Sequence, residues 1–419
     1  MKKTILFLIP VLFIAFNSPG QTATSVANGN WYMPSTWDCM CIPTAAYTVN
    51  INHDVILDND FGLSGGAINI GANGILRENV PGRYLVMNSG SITNNGKIKI
   101  SRAGFYGGSF DNNDSCLIYS VFFSGAKVHN NGSITEVDSL FIQSDFYNEN
   151  SGVVNAFRVT VNDSLENNGT LNVSELLNLN IFINNSTADF VNFYSTDYTR
   201  NNNLITFDDF SNSGTFDNYA SMSGSDNVSN TGHFYNENAG WLWVGNDFSN
   251  VDSIHHLAYF NNEGYVYIGG NFYNRDTING TTGRFCISQS SNNAGIMLGS
   301  FNFYDFTTNG PPSLNTGSIS NLITYNALSC DVGVGKNDNP ESELVVYPNP
   351  AADYFCFEFS EAPSNANITL TDVLGSIIFS QQVTGKDKVI FNRDNTPSGL
   401  YIYHIVSGPK VFTGKIILQ

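Results

Sequence analysis

The sequence predicts an all-β chain: a parallel β-solenoid, expected as a right-handed β-helix, followed by a C-terminal unit of short strands. Three observations predict it. One phrase recurs, in which an alternating apolar strand ends in an apolar residue and then Asn, with Gly close behind. It occurs at Asn94, Asn130, Asn148, Asn167, Asn184, Asn212, Asn230, Asn250 and Asn274. Most steps lie near 18 residues and the first is twice that, which marks one coil per repeat. The stretches between are strand-like, with period-2 alternation and no helical period beyond one turn. After about residue 343 the phrase stops and short strands follow at regular spacing.

Residues 1–20 read as a secretory signal. Lys2 and Lys3 form a basic start, Ile5 to Phe16 is an apolar run, and Ser18 and Gly20 are small residues near a cut. The apolar run is too short to span a membrane, and no other stretch reaches its length, so no transmembrane segment is expected.

Residues 21–62 read as an N-terminal cap over the open end of the solenoid. Trp31 and Trp37 flank Pro34, and Cys39 and Cys41 follow. The two Trp serve either as a ligand platform or, more simply, as cap packing. Residues 63–328 read as the coils. At ~19 residues and ~4.8 Å per coil they make about 14 coils and a rod of ~65 Å. Leu177, Leu179, Ile181 and Ile183 are predicted to face inward, with Asn178, Asn180, Phe182 and Asn184 outward. Val159 with Val161 and Val266 with Ile268 repeat the inward pattern. Gly96, Gly132, Gly152, Gly169, Gly214 and Gly232 are read as supplying positive φ at corners. Asn at equal positions in stacked coils can form an amide ladder. GFYGGSFDNNDSC, ending at Cys116, reads as a loop bulging from the rod. An antiparallel sandwich with Asn-Gly hairpins is the competing fold, but hairpins do not require the same Asn once per coil. Residues 329–342 lack apolar periodicity and read as a linker.

Formal net charge is −18, and removing Lys2 and Lys3 leaves −18 − 2 = −20. Such a chain repels nucleic acid and anionic membrane. Charged residues are only 13%, a composition typical of an extracellular β protein with polar turns.

The last segment carries specific motifs. Val345-Val346-Tyr347-Pro348-Asn349-Pro350-Ala351 is followed by Asp353 and Phe355. Asp372-Val373-Leu374-Gly375, Ser398-Gly399-Leu400-Tyr401 and Gly414-Lys415-Ile416-Ile417-Leu418-Gln419 come next. In this order they resemble the type A C-terminal sorting domain of type IX secretion substrates (the Por secretion tail), over residues 343–419. The resemblance implies an Ig-like β-sandwich engaged by the type IX secretion machinery. It also implies passage through the periplasm of a Gram-negative bacterium, to the outer-membrane surface or the medium, usually with cleavage of the domain. Tyr347, Pro348, Asn349, Pro350, Gly375, Gly399, Leu400, Tyr401 and Lys415 carry the sorting motif. More loosely, the cap and Asn-Gly coils resemble the β-helical passengers attached to such tails, which fixes no activity.

Chemistry is sparse. Six Cys allow up to three disulfides. Cys39 and Cys41 are too close to favour bonding each other, whereas Cys286 and Cys330 could staple the end of the rod. Cys39-x-Cys41 does not fit zinc, and no cofactor motif is found. His255-His256 point to opposite faces of a strand. Asp208-Asp209 and the run Asp111 to Asp114 are the acidic candidates for a polysaccharide lyase or hydrolase, with Arg158, Arg200, Arg275 and Arg284 scattered among coils. Neighbouring carboxylates do not share a face, so solvated turns are the simpler reading. A non-catalytic surface rod for adhesion, glycan or matrix contact is the first functional reading, and a polysaccharide-degrading β-helix the second. The most ligand-like stretch is Gly240-Trp241-Leu242-Trp243-Val244-Gly245. It aligns without a gap on Gly264-Tyr265-Val266-Tyr267-Ile268-Gly269. In adjacent coils Trp241, Trp243, Tyr265 and Tyr267 would share one outer face as a platform for sugar rings.

Overall fold

The computed structural model describes residues 21–252, 257–330, 344–347, 351–359, 362–363, 365–372, 377–393, 396–407 and 410–418. The signal segment 1–20, most of the linker, His255-His256, Pro348 to Pro350 and Gly375 lie outside these residues. The chain forms two compact units, divided between Cys330 and Asp331.

The first unit is a parallel β-solenoid of about 15 turns. Each turn has three legs. Short strands such as Ser164–Asn167, Ile181–Asn184 and Tyr198–Asn201 pair in parallel to build the first face. Longer strands such as Val153–Val161, Thr170–Asn178 and Thr187–Ser195 bend midway and build the second and third. The bend is visible in the pairing. Ala156 pairs Val173 and Arg158 pairs Glu175, but Phe157 and Ser174 are skipped at the corner. After Leu204–Asn212 the long strand is replaced by two, Ser221–Gly224 and Val228–Asn230. Parallel pairing starts at Thr22–Thr24, inside the segment read as a cap. There Trp31 and Trp37 are buried, with ring centroids 5.2 Å apart, and the Trp37 indole donates to the Trp31 carbonyl at 2.8 Å.

The interior differs from the expectation at the asparagines. Asn178, Phe182 and Asn184 are buried, while Leu179 is 41% exposed and Ile181 lies at the surface. The predicted facing of residues 177–184 is therefore inverted. The physical reason is that the amides satisfy one another. Asn94, Asn112, Asn130, Asn148, Asn167, Asn184, Asn201, Asn218, Asn236 and Asn262 form one buried column. In it each side-chain Nδ2 donates to the Oδ1 one coil later at 2.7–2.9 Å. The same Nδ2 also reaches a backbone carbonyl of the next coil, as Asn184 does to Leu204 at 3.0 Å. A fully bonded amide escapes the cost of an unpaired buried polar group, so polar residues can occupy the core.

A second column runs through Asn212, Asn230, Asn250, Asn274, Asn293 and Asn315 on the third face, with bonds of 2.8–2.9 Å. The recurring phrase thus joins two columns. The long step from Asn184 to Asn212 is a change of column, and the doubled first step hides Asn112. The stretch read as a bulging loop is a regular coil: Gly108–Asn112 pairs Ala126–Asn130 in register. The second column opens abruptly. Ser195 occupies the rung before Asn212 and its hydroxyl pairs with Thr199 instead. Asn212 Oδ1 consequently has no protein partner.

The glycines after the phrase have a different role from the one expected. None of the six has a positive φ. A Cβ at Gly132 would meet the Asp114 carbonyl at 2.1 Å, and one at Gly214 the Asp197 carbonyl at 2.0 Å. They are glycine because the backbones of successive coils touch there. Between the columns, phenylalanines stack along the axis: Phe216 on Phe234 at 5.0 Å and Phe234 on Phe260 at 4.8 Å.

Near the C-terminal end of the solenoid, Asp305 pins a loop that precedes the last rungs, Leu314–Asn315 and Ser318–Ile319. This buried carboxylate accepts from Ser291, Thr307 and Ser313, through their backbone N–H groups and hydroxyls, and so fixes the loop at 306–313.

The second unit is a small antiparallel sandwich. Leu344–Tyr347, Tyr354–Phe359 and Lys388–Asn392 form one sheet. Ile377–Val383, Ala366–Asp372, Gly399–Ser407 and Lys410–Leu418 form the other. Phe355, Phe357 and Phe391 from one sheet share a core with Ile368, Leu370, Ile405 and Ile416 from the other.

Candidate functional site

The second face of the solenoid carries the aromatic stretch. Trp241–Val244 pairs Tyr265–Ile268 in register, Trp241 beside Tyr265 and Trp243 beside Tyr267. Leu242, Val244, Val266 and Ile268 are buried, so alternation turns the aromatic residues outward. Trp243 stacks on Tyr267 with centroids 4.0 Å apart and planes 19° from parallel, and Trp241 lies 4.9 Å from Tyr265. With strands ~4.8 Å apart, this stacking stands the rings on edge across the axis rather than flat on the face.

Trp241 and Trp243 are 48% and 45% exposed and Tyr267 is half-buried, but Tyr265 is only 4% exposed. The platform of four open rings is therefore corrected to a wall. Tyr265 is covered because Cys286, on the following rung, is disulfide-bonded to Cys330. That bond holds Ala327–Cys330 against the face, and the Tyr265 hydroxyl reaches the Cys330 carbonyl at 3.4 Å. The preceding rung presents Ser221 and Ser223, both exposed, beside Trp241 and Trp243. The free side of the indole wall thus looks over a polar floor of small residues.

The row of Ser223 and Trp243 continues towards the N-terminus through Thr206, Asp189, Asn172 and Asn155. Asn172 donates its amide to Asn155 at 2.8 Å. This end of the row borders a shallow open groove lined also by Ala156, Phe157, Val173 and Val191. Phe157 and Val191 are exposed at the corner two coils apart. The sequence reading missed this groove. An apolar residue at the corner position in alternate coils was the available signal.

Asp208, Asp209, Arg158 and Arg200 are each held by neighbours on the solenoid. Asp208 accepts from the Ser225 hydroxyl at 2.5 Å, and Asp209 from the Asn227 backbone and amide at 3.2 Å. Arg158 pairs with Glu175 at 2.8 Å. On the first face Arg200 lies 3.7 Å from Asp217 and over the rings of Tyr198 and Tyr219, and the Tyr198 hydroxyl donates to Asp217. That arrangement neutralises the guanidinium rather than offering it to a substrate. Among the described residues no three His, Cys, Asp or Glu side chains converge to hold a metal.

In the sandwich, the two late motifs form one hairpin: Gly399 pairs Leu418, Tyr401 pairs Ile416 and Ile402 pairs Lys415. Tyr401 is buried and its hydroxyl donates to the Pro397 carbonyl at 2.8 Å, whereas Leu400 and Lys415 are exposed. Ala351 donates its N–H to Ile417 at 2.8 Å, tying the start of the unit to its last strand. Tyr347 is exposed and its hydroxyl meets Glu358 and Lys388. Residues 345–419 match the family model described as a secretion system C-terminal sorting domain. This unit is a type IX sorting domain. A search of curated proteins gives no significant match. The sorting domain implies engagement by the type IX machinery and export to the cell surface or extracellular space. The solenoid is its passenger. No helix among the described residues is long and apolar enough to cross a membrane.

Proposed function

We propose that the passenger is a non-catalytic extracellular rod that holds a linear glycan along its second face. The observation that carries this reading is the indole wall over a serine floor. Trp241 and Trp243 keep their apolar surface open to solvent although two inward neighbours, Leu242 and Val244, are fully packed. An indole face stacks on the C–H face of a pyranose, and small hydroxyls beside it receive the sugar's own. The row from Trp243 to Asn155 holds six rungs and spans five steps, ~24 Å at ~4.8 Å each, so an extended chain can follow the axis. Phe157 then offers a second apolar contact.

The test is a panel of linear glycans against the full chain and a Trp241→Ala, Trp243→Ala variant, with folding checked by circular dichroism. Binding should fall at least tenfold in the folded variant, and Phe157→Ala should weaken long oligomers more than short ones. Undiminished binding by the folded double variant would contradict the reading.

A further inference from the structure

The two disulfides of this chain are built for different purposes. Cys286–Cys330 closes a sequence separation of 44, and both cysteines are buried, Cys286 on the rung opposite Tyr267. Cys39–Cys41 closes a separation of only 2, contrary to the expectation that these residues would not pair. Closing so small a ring removes little freedom from the unfolded chain, so this bond contributes little to stability. Its ring instead holds Met40, a non-glycine residue, at φ 53°, in the left-handed region. Cys39 is exposed, Met40 is 69% exposed and Cys41 is half-buried. The flanks are anchored independently of the sulfurs. Asp38 and Thr24 exchange two hydrogen bonds, the Met40 N–H reaches the Trp37 carbonyl, and the Trp37 ring is buried. Opening the ring therefore need not unfold this end of the rod.

We propose that Cys39–Cys41 is a thiol–disulfide exchange site whose substrate is a cysteine thiolate. Exposed, conformationally constrained disulfides are the more oxidising ones and open first. The incoming thiolate attacks Sγ of Cys39, the more exposed sulfur. A bond forms between the two sulfurs, the Cys39–Cys41 bond breaks, and Cys41 leaves as a thiolate that takes a proton from water. A second thiolate attacks the sulfur of the bound substrate, releasing it as a disulfide and Cys39 as a thiolate. Two substrate thiols are oxidised and one protein disulfide is reduced. The glycan reading plays no part in this proposal.

The test equilibrates the full-length folded chain in glutathione buffers of graded ratio, traps free thiols with iodoacetamide, and reads each cysteine peptide by mass spectrometry. Cys286–Cys330 is the internal standard. Cys39–Cys41 should open at a reducing ratio at least tenfold lower, about 30 mV more oxidising for a two-electron couple. A separation below tenfold, or the reverse order, would overturn the proposal. In a second arm the Cys41→Ser chain is mixed with glutathione disulfide and with a disulfide-linked unstructured peptide. An adduct at Cys39 with glutathione alone assigns a small thiol as substrate, and one with the peptide assigns a polypeptide. No adduct from either, with the fold intact, overturns it.

Discussion

The solenoid and the sorting domain are both all-β and both built round phenylalanine, yet their sequences carry opposite information. The solenoid repeats, so its architecture is written many times over: from Asn94 onward successive coils rest on one another through buried amides, with recurrent glycines and phenylalanines packed beside them. Repetition leaves little room for an address or an active centre. The sandwich occurs once. Its strands carry no period, but each motif sits at one position with one partner, such as Tyr401 on Pro397 and Ala351 on Ile417. The difference teaches that periodic residues report how a chain stacks, while non-periodic ones report what it is for.

The largest expected effect separates the two units outright. Deleting residues 343–419 should leave the passenger inside a type IX-competent host, as read by immunoblot of cell and medium fractions. Undiminished appearance outside would break the division of roles.

Next comes the amide column. Asn184 Nδ2 donates to Asn201, Ser186 and Leu204 at 2.8–3.0 Å. Asn184→Asp removes these donors and sets carboxylate oxygens against acceptors in the core. It should cost on the order of 3 kcal/mol or more in denaturant unfolding at neutral pH. A loss within experimental error would mean the column does not hold the rod.

A smaller effect is expected near the C-terminal end of the solenoid. Burial works against the charged form of Asp305, but the hydroxyls of Ser291, Ser313 and Thr307 and the Thr307 N–H outweigh it and hold the carboxyl below its ordinary value of 3.8. A depressed folded pKa gives stability that is complete above the unfolded value and is lost as pH falls through the folded one. The stability gap between wild type and Asp305→Asn, about 2 kcal/mol, should therefore hold from neutral pH down to about 4. Below that it should narrow, which paired unfolding curves will show. A gap that is constant down to strongly acidic pH would sink this account.

The smallest effect is at Leu179. Its exposure predicts that Leu179→Asp shifts stability by no more than ~0.5 kcal/mol, far less than Asn184→Asp. A large loss would restore the facing that simple alternation suggests.

That facing shows where sequence reasoning stopped. Period-2 alternation found strand character around residue 180 but missed the corner at 179–180, which separates Thr170–Asn178 from Ile181–Asn184, and could not say which parity faces in. The rule that apolar residues go inside was overridden by amides that bond only when stacked, a property of neighbouring coils rather than of one segment. The same limit explains the merged columns, since one phrase serves two corners of the coil. Val159, Val161, Val266 and Ile268 followed the simple rule because no Asn competes there. At the candidate site, the gapless match of residues 240–245 to 264–269 was enough to pair Trp243 with Tyr267. The Cys286–Cys330 staple was legible, but that it sets the Cys330 carbonyl against the Tyr265 hydroxyl was not, because that depends on the register of the intervening coils.

The central claim is that the tail gives the address and the second face of the rod makes the contact. One measurement tests it: the Trp243→Ala chain is expressed in the type IX host, and its amount outside the cell and its retention on an immobilised linear polysaccharide are quantified together. Export should match wild type, with retention lowered at least tenfold. Wild-type retention of the folded, exported variant would contradict the claim.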